Sequence, residues 1–408
     1  MDYVFYFDET YQDRKISIKE NHFNSMSENS FDSYIGLFWG CAQSKLHSII
    51  PLLIDFEEKY KSVFGLSKDQ ELKSDIIKKK NYQNGLKSFN RNAFNFYSDL
   101  FDLLNQINPI IQIDAISKVE FFLTELFKNI NLESVYPVNR NAFIYSLTKF
   151  ILTYDDSDLI NSIKIINDDM SANEFRKQLL GFVAKKHTEV EDVGRKAREE
   201  NTLSEFFMIL NTITFDGMKY EKLNYPYYYN FVGFNKLLDE LHIQTNKVKI
   251  TIDEELNTYN SSILFKYKTV KQANSKNSIQ IRLCDWLCGF VGRFAYALFN
   301  DDGAKELNGE SIEKRRLLSK EWFDIDREIF CLYQKINKFF NIDHEYYWTI
   351  MTLQYADPII MFCALLRYFG FYNSYEDYSS KSLVEHQEQY NAMCVTELNK
   401  SYERFNTN

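Results

Sequence analysis

The chain opens on five consecutive apolar residues, Tyr3-Val4-Phe5-Tyr6-Phe7, and then breaks into two carboxylates, Asp8 and Glu9. Successive side chains of an extended segment point to opposite faces, so a run with no polar position must be covered on both sides. Such a strand belongs inside a sheet that carries a layer on each face. Ser33 to Cys41 has the same character and reads as its neighbour, and Ile110 to Ile116 as a third strand. Later, Val248, Ile250 and Ile252 alternate with Lys249, Thr251 and Asp253, and Ile263 to Val270 reads as the partner of that strand.

Between and beyond these strands the pattern is helical. Thirteen glycines and five prolines in 408 residues fall far below the usual share of about 12%, which favours long helices and few turns. Helices are expected over Pro51 to Phe64, where Gly65 supplies the stop, and over Asn92 to Gln106. From Val119 to His242 helix follows helix with no strand pair, and 300 to 408 reads as helical throughout. Distant strands must then close one α/β domain, in which the strands near 2–8, 33–41, 110–116, 248–253 and 263–270 form a single mixed sheet flanked by helices. Residues 1–118 supply the first part of that core and 241–299 the second, with a large helical insertion at 119–240 and a helical C-terminal region at 300–408.

The formal net charge of -9 weighs against a broad basic surface for sequence-independent nucleic-acid binding. It does not exclude a nuclease, since carboxylates that hold divalent cations add negative charge that the metal neutralises. Cys41, Cys284, Cys288, Cys331, Cys363 and Cys394 make no Cys-x-x-Cys pair and have no His at zinc-ligand spacing. They read as thiols of a reducing compartment. Acidic residues at Asp2, Asp8 and Glu9 interrupt any signal peptide, and the longest apolar stretch, Ile359 to Leu366, is too short to span a bilayer. A soluble, cytoplasmic protein with no membrane partner is expected.

A second carboxylate breaks an apolar element at Asp285, in Ile281-Arg-Leu-Cys-Asp-Trp-Leu-Cys-Gly289. Leu283, Trp286, Leu287, Phe290, Val291 and Phe294 form the buried stripe, while Arg282, Asp285, Gly289 and Gly292 share another face. A glycine inside a helix costs about 1 kcal/mol relative to Ala, so two of them on that face imply that something approaches it closely. A buried carboxylate is costly unless it is paired or binds a metal.

Phe7-Asp8-Glu9-Thr10 and Arg282-Leu283-Cys284-Asp285, with Glu71-Leu72-Lys73 and Ile250-Thr251-Ile252-Asp253-Glu254 between them, resemble in order the motifs of domain-of-unknown-function family 3800. That family is marked by an Asp-Glu pair ending its first strand and a Q-x-x-D motif opening a late helix. The resemblance covers roughly 1–118 and 240–295, and departs from the pattern at Arg282 in place of Gln and at Thr10-Tyr11 in place of Ser-Gly. It implies a ribonuclease H-like fold and a metal-dependent nuclease that hydrolyses phosphodiester bonds, in bacterial anti-phage defence or as a toxin-like effector. Two Mg2+ or Mn2+ ions about 3.5–4 Å apart would need converging carboxylates. The resemblance casts Asp8, Glu71, Asp253 and Asp285 as the catalytic metal ligands, with Glu9 and Asp114 as reserves and Lys73 neutralising phosphate charge. The alternative is a catalytically inactive ribonuclease H-like module that binds nucleic acid or a partner protein, and Arg282, a cation beside the carboxylates, favours it.

Other motifs are weaker. His187-Thr188-Glu189 lacks the Pro-Cys-x-x-Cys of zinc deaminases and reads as a solvated helix face. Asp155-Asp156-Ser157-Asp158 lacks the glycine and terminal Glu of a calcium loop. Lys78-Lys79-Lys80 and Lys314-Arg315-Arg316 read first as solvated charge, and second as contacts to a phosphate backbone. Tyr225 and Tyr227 to Tyr229 read as a buried join between insertion and core ahead of a base-stacking surface. Tyr346, Tyr347, Trp348, Ile350, Met351, Ile359, Ile360, Met361, Phe362, Leu365 and Leu366 suggest a homodimer through the C-terminal helices.

Overall fold

The apolar opening of the chain forms strand β1 (Tyr3–Thr10) at the centre of a six-stranded mixed sheet in a computed structural model. The structure describes residues 1–10, 18–19, 22–23, 32–132, 136–137, 139–154, 159, 162–163, 166, 168–191, 193–216, 227–301, 318–341, 348–352 and 354–403. The other strands are β2 (Ser33–Ala42), β3 (Ile110–Ser117), β4 (Val248–Ile252), β5 (Thr269–Gln272) and β6 (Trp348–Thr352), in the order β5-β4-β1-β2-β3-β6. β2 runs antiparallel to both β1 and β3, whereas β4 is parallel to β1, β5 to β4 and β6 to β3. Residues 18–19 and 22–23 pair separately.

Thirteen helices of the described chain cover the sheet and extend from it: α1 (Gln43–Val63), α2 (Arg91–Ile107), α3 (Lys118–Phe127), α4 (Arg140–Tyr154), α5 (Asp169–Val190), α6 (Ala197–Thr212), α7 (Tyr229–Glu240), α8 (Leu256–Ser262), α9 (Ile279–Phe299), α10 (Arg327–Asn341), α11 (Asp357–Gly370), α12 (Tyr375–Ser379) and α13 (Leu383–Glu403). The two faces expected from the first strand are both covered. Val4 and Tyr6 join Leu37, Trp39, Ile111 and Ile113 beneath α1, α2 and α9. Phe5, Phe7, Phe38, Ile250 and Ile252 lie against Phe231, Phe234, Leu237 and Leu238 of α7. Phe38 stacks on Phe234 with ring centroids 4.2 Å apart, the offset or edge contact that aromatic pairs favour beyond simple area burial.

Several boundaries differ from the sequence expectation, each for a local reason. α1 begins at Gln43 and carries Pro51 inside it, because most of its first two turns is exposed and shows no apolar stripe to read. Ile263 to Val270 is not one strand. Ile263–Phe265 forms a 3-10 turn after α8, and only Thr269–Gln272 pairs, as a largely exposed sheet edge. Residues 300–408 are not helical throughout, since Trp348–Thr352 adds β6 beside β3.

Residues 119–216 contain no strand among those described and build a core of their own from Phe122, Phe143, Leu147, Phe175, Leu179 and Phe206. The C-terminal helices are packed differently. Ile359, Phe362, Leu365 and Leu366 are buried in the core that also holds α2 and α9, so this apolar surface is covered within the chain and needs no second copy. Tyr346 and Tyr347 lie outside the described residues. No helix among the described residues is long and apolar enough to cross a membrane.

Candidate functional site

Strand alternation and register bring two of the expected carboxylates together. Phe7 is paired with Ile252 on the parallel strand β4, so the next residues, Asp8 and Asp253, leave adjacent strands side by side and toward the same face. The Asp253 N–H donates to the Phe7 carbonyl at 3.3 Å, which extends the ladder to that point. On that face α9 crosses the sheet and delivers Asp285. Asp8 is buried, and its carboxyl is held well above the usual range by that burial and then by the charges of Asp285 and Asp253, against which a 2.7 Å bond from the Glu9 N–H works in the opposite sense.

Asp285 is raised by burial and is opposed by a pair of bonds from one residue, the Ser74 N–H at 2.7 Å and the Ser74 hydroxyl at 2.8 Å. Gly289 explains why Ser74 comes so near. A Cβ at that position would lie 2.4 Å from Ser74 Oγ and 2.5 Å from Ser74 Cβ, so the close approach implied by glycine in this helix is made by the turn Ser74–Ile76. The indole N–H of Trp286 donates to the Leu72 carbonyl at 2.6 Å and pins the same segment. Asp253, likewise raised by burial, accepts the Ser275 N–H at 3.2 Å and feels Glu71 and Lys73 with opposite sign.

Glu71 and Lys73 therefore stand at the same mouth, with Lys73 Nζ 3.6 Å from Glu71 Oε2. Lys73 also offsets the raised carboxyls of both Asp253 and Asp285. A cleft of about 40 Å³ opens between the ends of β1 and β4, lined by Phe7, Asp8, Glu9, Ile252, Asp253, Glu254 and Glu255. No family model, curated protein or solved structure matches the chain.

The reserves differ: Glu9 lines the cleft and its charge adds to the rise of Asp8, whereas Asp114 lies elsewhere on the sheet. Alternation turns Glu9 toward the α7 side, where it accepts the Tyr34 hydroxyl, itself a 2.8 Å acceptor of the Asn230 side-chain N–H. Tyr227 packs with Tyr34 and Ile116 on that side, which makes it part of a buried join, while Tyr225 lies outside the described residues. Asp114 is on the same side, paired across β2 at Gly36. Burial holds its carboxyl well above the usual range, and the Gln112 side chain donates to it at 3.2 Å.

Arg282 is not a partner of Asp285. Its Nε lies 2.7 Å from Glu57 Oε1, its Nη2 donates to Glu57 Oε2 at 2.7 Å, and its Nη1 donates to the carbonyls of Ser275 and Lys276. It is a bidentate brace between α1 and the loop whose Ser275 holds Asp253. Sequence reasoning missed Ser74, Ser275 and Arg293. Arg293 donates to Ser74 Oγ at 3.2 Å and counters the rise of Asp285. The spacing of Asp285, Gly289 and Arg293, four residues each, placed all three on one face and was the available signal.

A hard divalent cation suits these donors in kind: Asp253 and Asp285 oppose the ionisation of Asp8, and Glu71 Oε1 is buried with no hydrogen-bond partner among the described residues. The cage itself is not closed. Among the described residues no group of three or more His, Cys, Asp or Glu side chains is disposed to hold an ion together. Of the weaker motifs, His187 meets Ser204 at 2.9 Å and Glu189 pairs with Lys186 at 2.7 Å on a helix face. Residues 155–158 and 314–316 lie outside the described residues.

Proposed function

We propose that this chain is a metal-dependent nuclease of ribonuclease H-like architecture. The observation that carries the reading is the burial of Asp8 at the end of the central strand, with Asp253 and Asp285 holding its carboxyl high. Like charges are crowded in this way where a cation normally relieves them. The strand order β5-β4-β1-β2-β3, with β2 alone antiparallel to its neighbours, agrees with the ribonuclease H-like arrangement that the motif resemblance implies.

Asp8, Asp253, Asp285 and Glu71 would hold Mg2+ or Mn2+, which when bound supplies an activated water and neutralises charge on the phosphoryl group. The chain's own contribution is positional. Ser74 fixes both oxygens of Asp285, Ser275 orients Asp253, and Arg282 braces the Ser275 loop from behind. Lys73, more than half exposed at 57%, is free to move from Glu71 to a non-bridging phosphate oxygen and stabilise the charge that builds there.

The test is hydrolysis of labelled single- and double-stranded DNA and RNA with Mg2+ or Mn2+, for the native chain and for Asp8→Asn. Activity in the native chain that falls by orders of magnitude in the variant supports the proposal; equal activity in both removes it. The open arrangement of the carboxylates favours a second reading, a catalytically inactive module that binds nucleic acid or a partner protein. Calorimetric titration with Mn2+ separates the two, because only the enzyme requires saturable binding that Asp8→Asn abolishes.

A further inference from the structure

We infer that two lysine-bearing segments flanking the acidic cleft form a track for the backbone of single-stranded nucleic acid. The inference rests on the nuclease reading and names the form of substrate that the site would take. In an acidic chain the two segments are locally basic: residues 266–276 hold Lys266, Lys268, Lys271 and Lys276 with no carboxylate, and residues 73–80 hold Lys73, Lys78, Lys79 and Lys80 against Asp75 alone.

Both segments are tied directly to the carboxylates. One reaches Asp285 through Ser74 and the other reaches Asp253 through the Ser275 N–H. Both segments therefore border the cluster and pack against α9. Lys271 pairs in register with Thr251, which is opposite Tyr6, so it projects from the same face as Asp8. Lys78, Lys80, Lys271 and Lys276 are all exposed, and of these only Lys78 has an ion pair among the described residues, a 3.6 Å contact with an exposed Asp75. A surface pair of that kind contributes little and yields readily to a phosphate.

The shape of the cleft selects the strand state. Asp8 is 8% exposed at the floor of an opening of about 40 Å³. A phosphodiester held on the flank of a stiff duplex cannot follow the backbone into such a recess, whereas a flexible single strand can lay successive phosphates along the exposed lysines of the two segments and bend one inward.

The experiment measures fluorescence anisotropy of a labelled single-stranded oligonucleotide, as DNA and as RNA, and of the matching duplex, in EDTA so that binding is read without cleavage. The native chain should bind the single strand more tightly than the duplex. Lys78→Gln with Lys80→Gln, and Lys271→Gln with Lys276→Gln, should each weaken binding roughly tenfold at low salt and reduce the slope of log K against log salt by about 1.4, at about 0.7 per lost phosphate contact. Circular dichroism melting should be unchanged in each pair.

Absence of saturable single-strand binding, preference for the duplex, or a fourfold variant that binds like the native chain would overturn the track. Binding through these lysines without hydrolysis on adding Mn2+ would keep the track and remove the nuclease. Hydrolysis by the fourfold variant with unchanged KM would keep the nuclease and remove the track.

Discussion

Asp8 should make the protein less stable as pH rises. Its folded-state carboxyl titrates well above the ordinary value of 3.8, so the folded chain keeps a proton that the unfolded chain has already lost. Stability is then greatest below that ordinary value and falls as pH climbs through the raised one. Asp8→Asn removes the penalty while its side-chain oxygen can still accept the Glu9 N–H. In EDTA the variant should match the native chain near pH 4 and melt higher at pH 8, by roughly 1 kcal/mol of added stability; equal melting at both values would show that the carboxylates do not strain one another. Asp285→Asn should gain less, because the two Ser74 donors reach separate carboxylate oxygens and the amide replaces one of these with an NH2 group. Asp8 and Asp285 were legible in sequence, since each interrupts an apolar element, whereas Glu71 and Asp253 stood out only through the order of the motifs. Their holders were not, because Ser74 and Ser275 look like any loop serine and Glu57 lies 225 positions from Arg282.

At the scale of elements, α9 is where packing and site meet. It is buried around most of its circumference, and Gly289 admits Ser74 against it. Gly289→Ala should raise intrinsic helix preference by about 1 kcal/mol yet destabilise the protein, because the new methyl drives Ser74 away from Asp285. A net loss of about 1–3 kcal/mol is expected from such overpacking, measured by urea unfolding, together with a rise in the Asp285 carboxyl seen by NMR titration. A stabilised variant would mean that the turn yields without consequence. β1, β2, β3 and β4 were readable because both faces or one face of each is continuously apolar. β6 is a short edge segment whose partner, Ile111 to Ala115, lies far away in the chain, whereas β5 follows its partner closely but is largely exposed and so offers no apolar pattern to fix its bounds.

For the whole molecule the cores, rather than the order of the chain, define what can stand alone. The core beneath α9 draws residues from α1 and α2, from α9 itself and from Trp322, Phe330, Phe362 and Tyr390 of the C-terminal region. Removing everything after residue 299 would uncover Phe290 and Phe294, which are fully buried in the intact chain and pack on Trp322, Tyr333 and Phe362, and each large apolar side chain so exposed forfeits roughly 1.5–3 kcal/mol. Such losses exceed the few kcal/mol by which domains are stable. A chain ending at residue 299 should therefore aggregate or show no cooperative melt. The helices between Lys118 and Asp216 differ, since among the described residues the buried members of their core are their own apart from Tyr355, with Tyr229 and Phe299 packed at its edge. A fragment spanning 118–216 should keep a helical circular dichroism spectrum and melt cooperatively. If instead that fragment is unfolded while the chain ending at residue 299 folds, the helical segment depends on the sheet and the C-terminal helices are an appendage, the reverse of what the packing dictates.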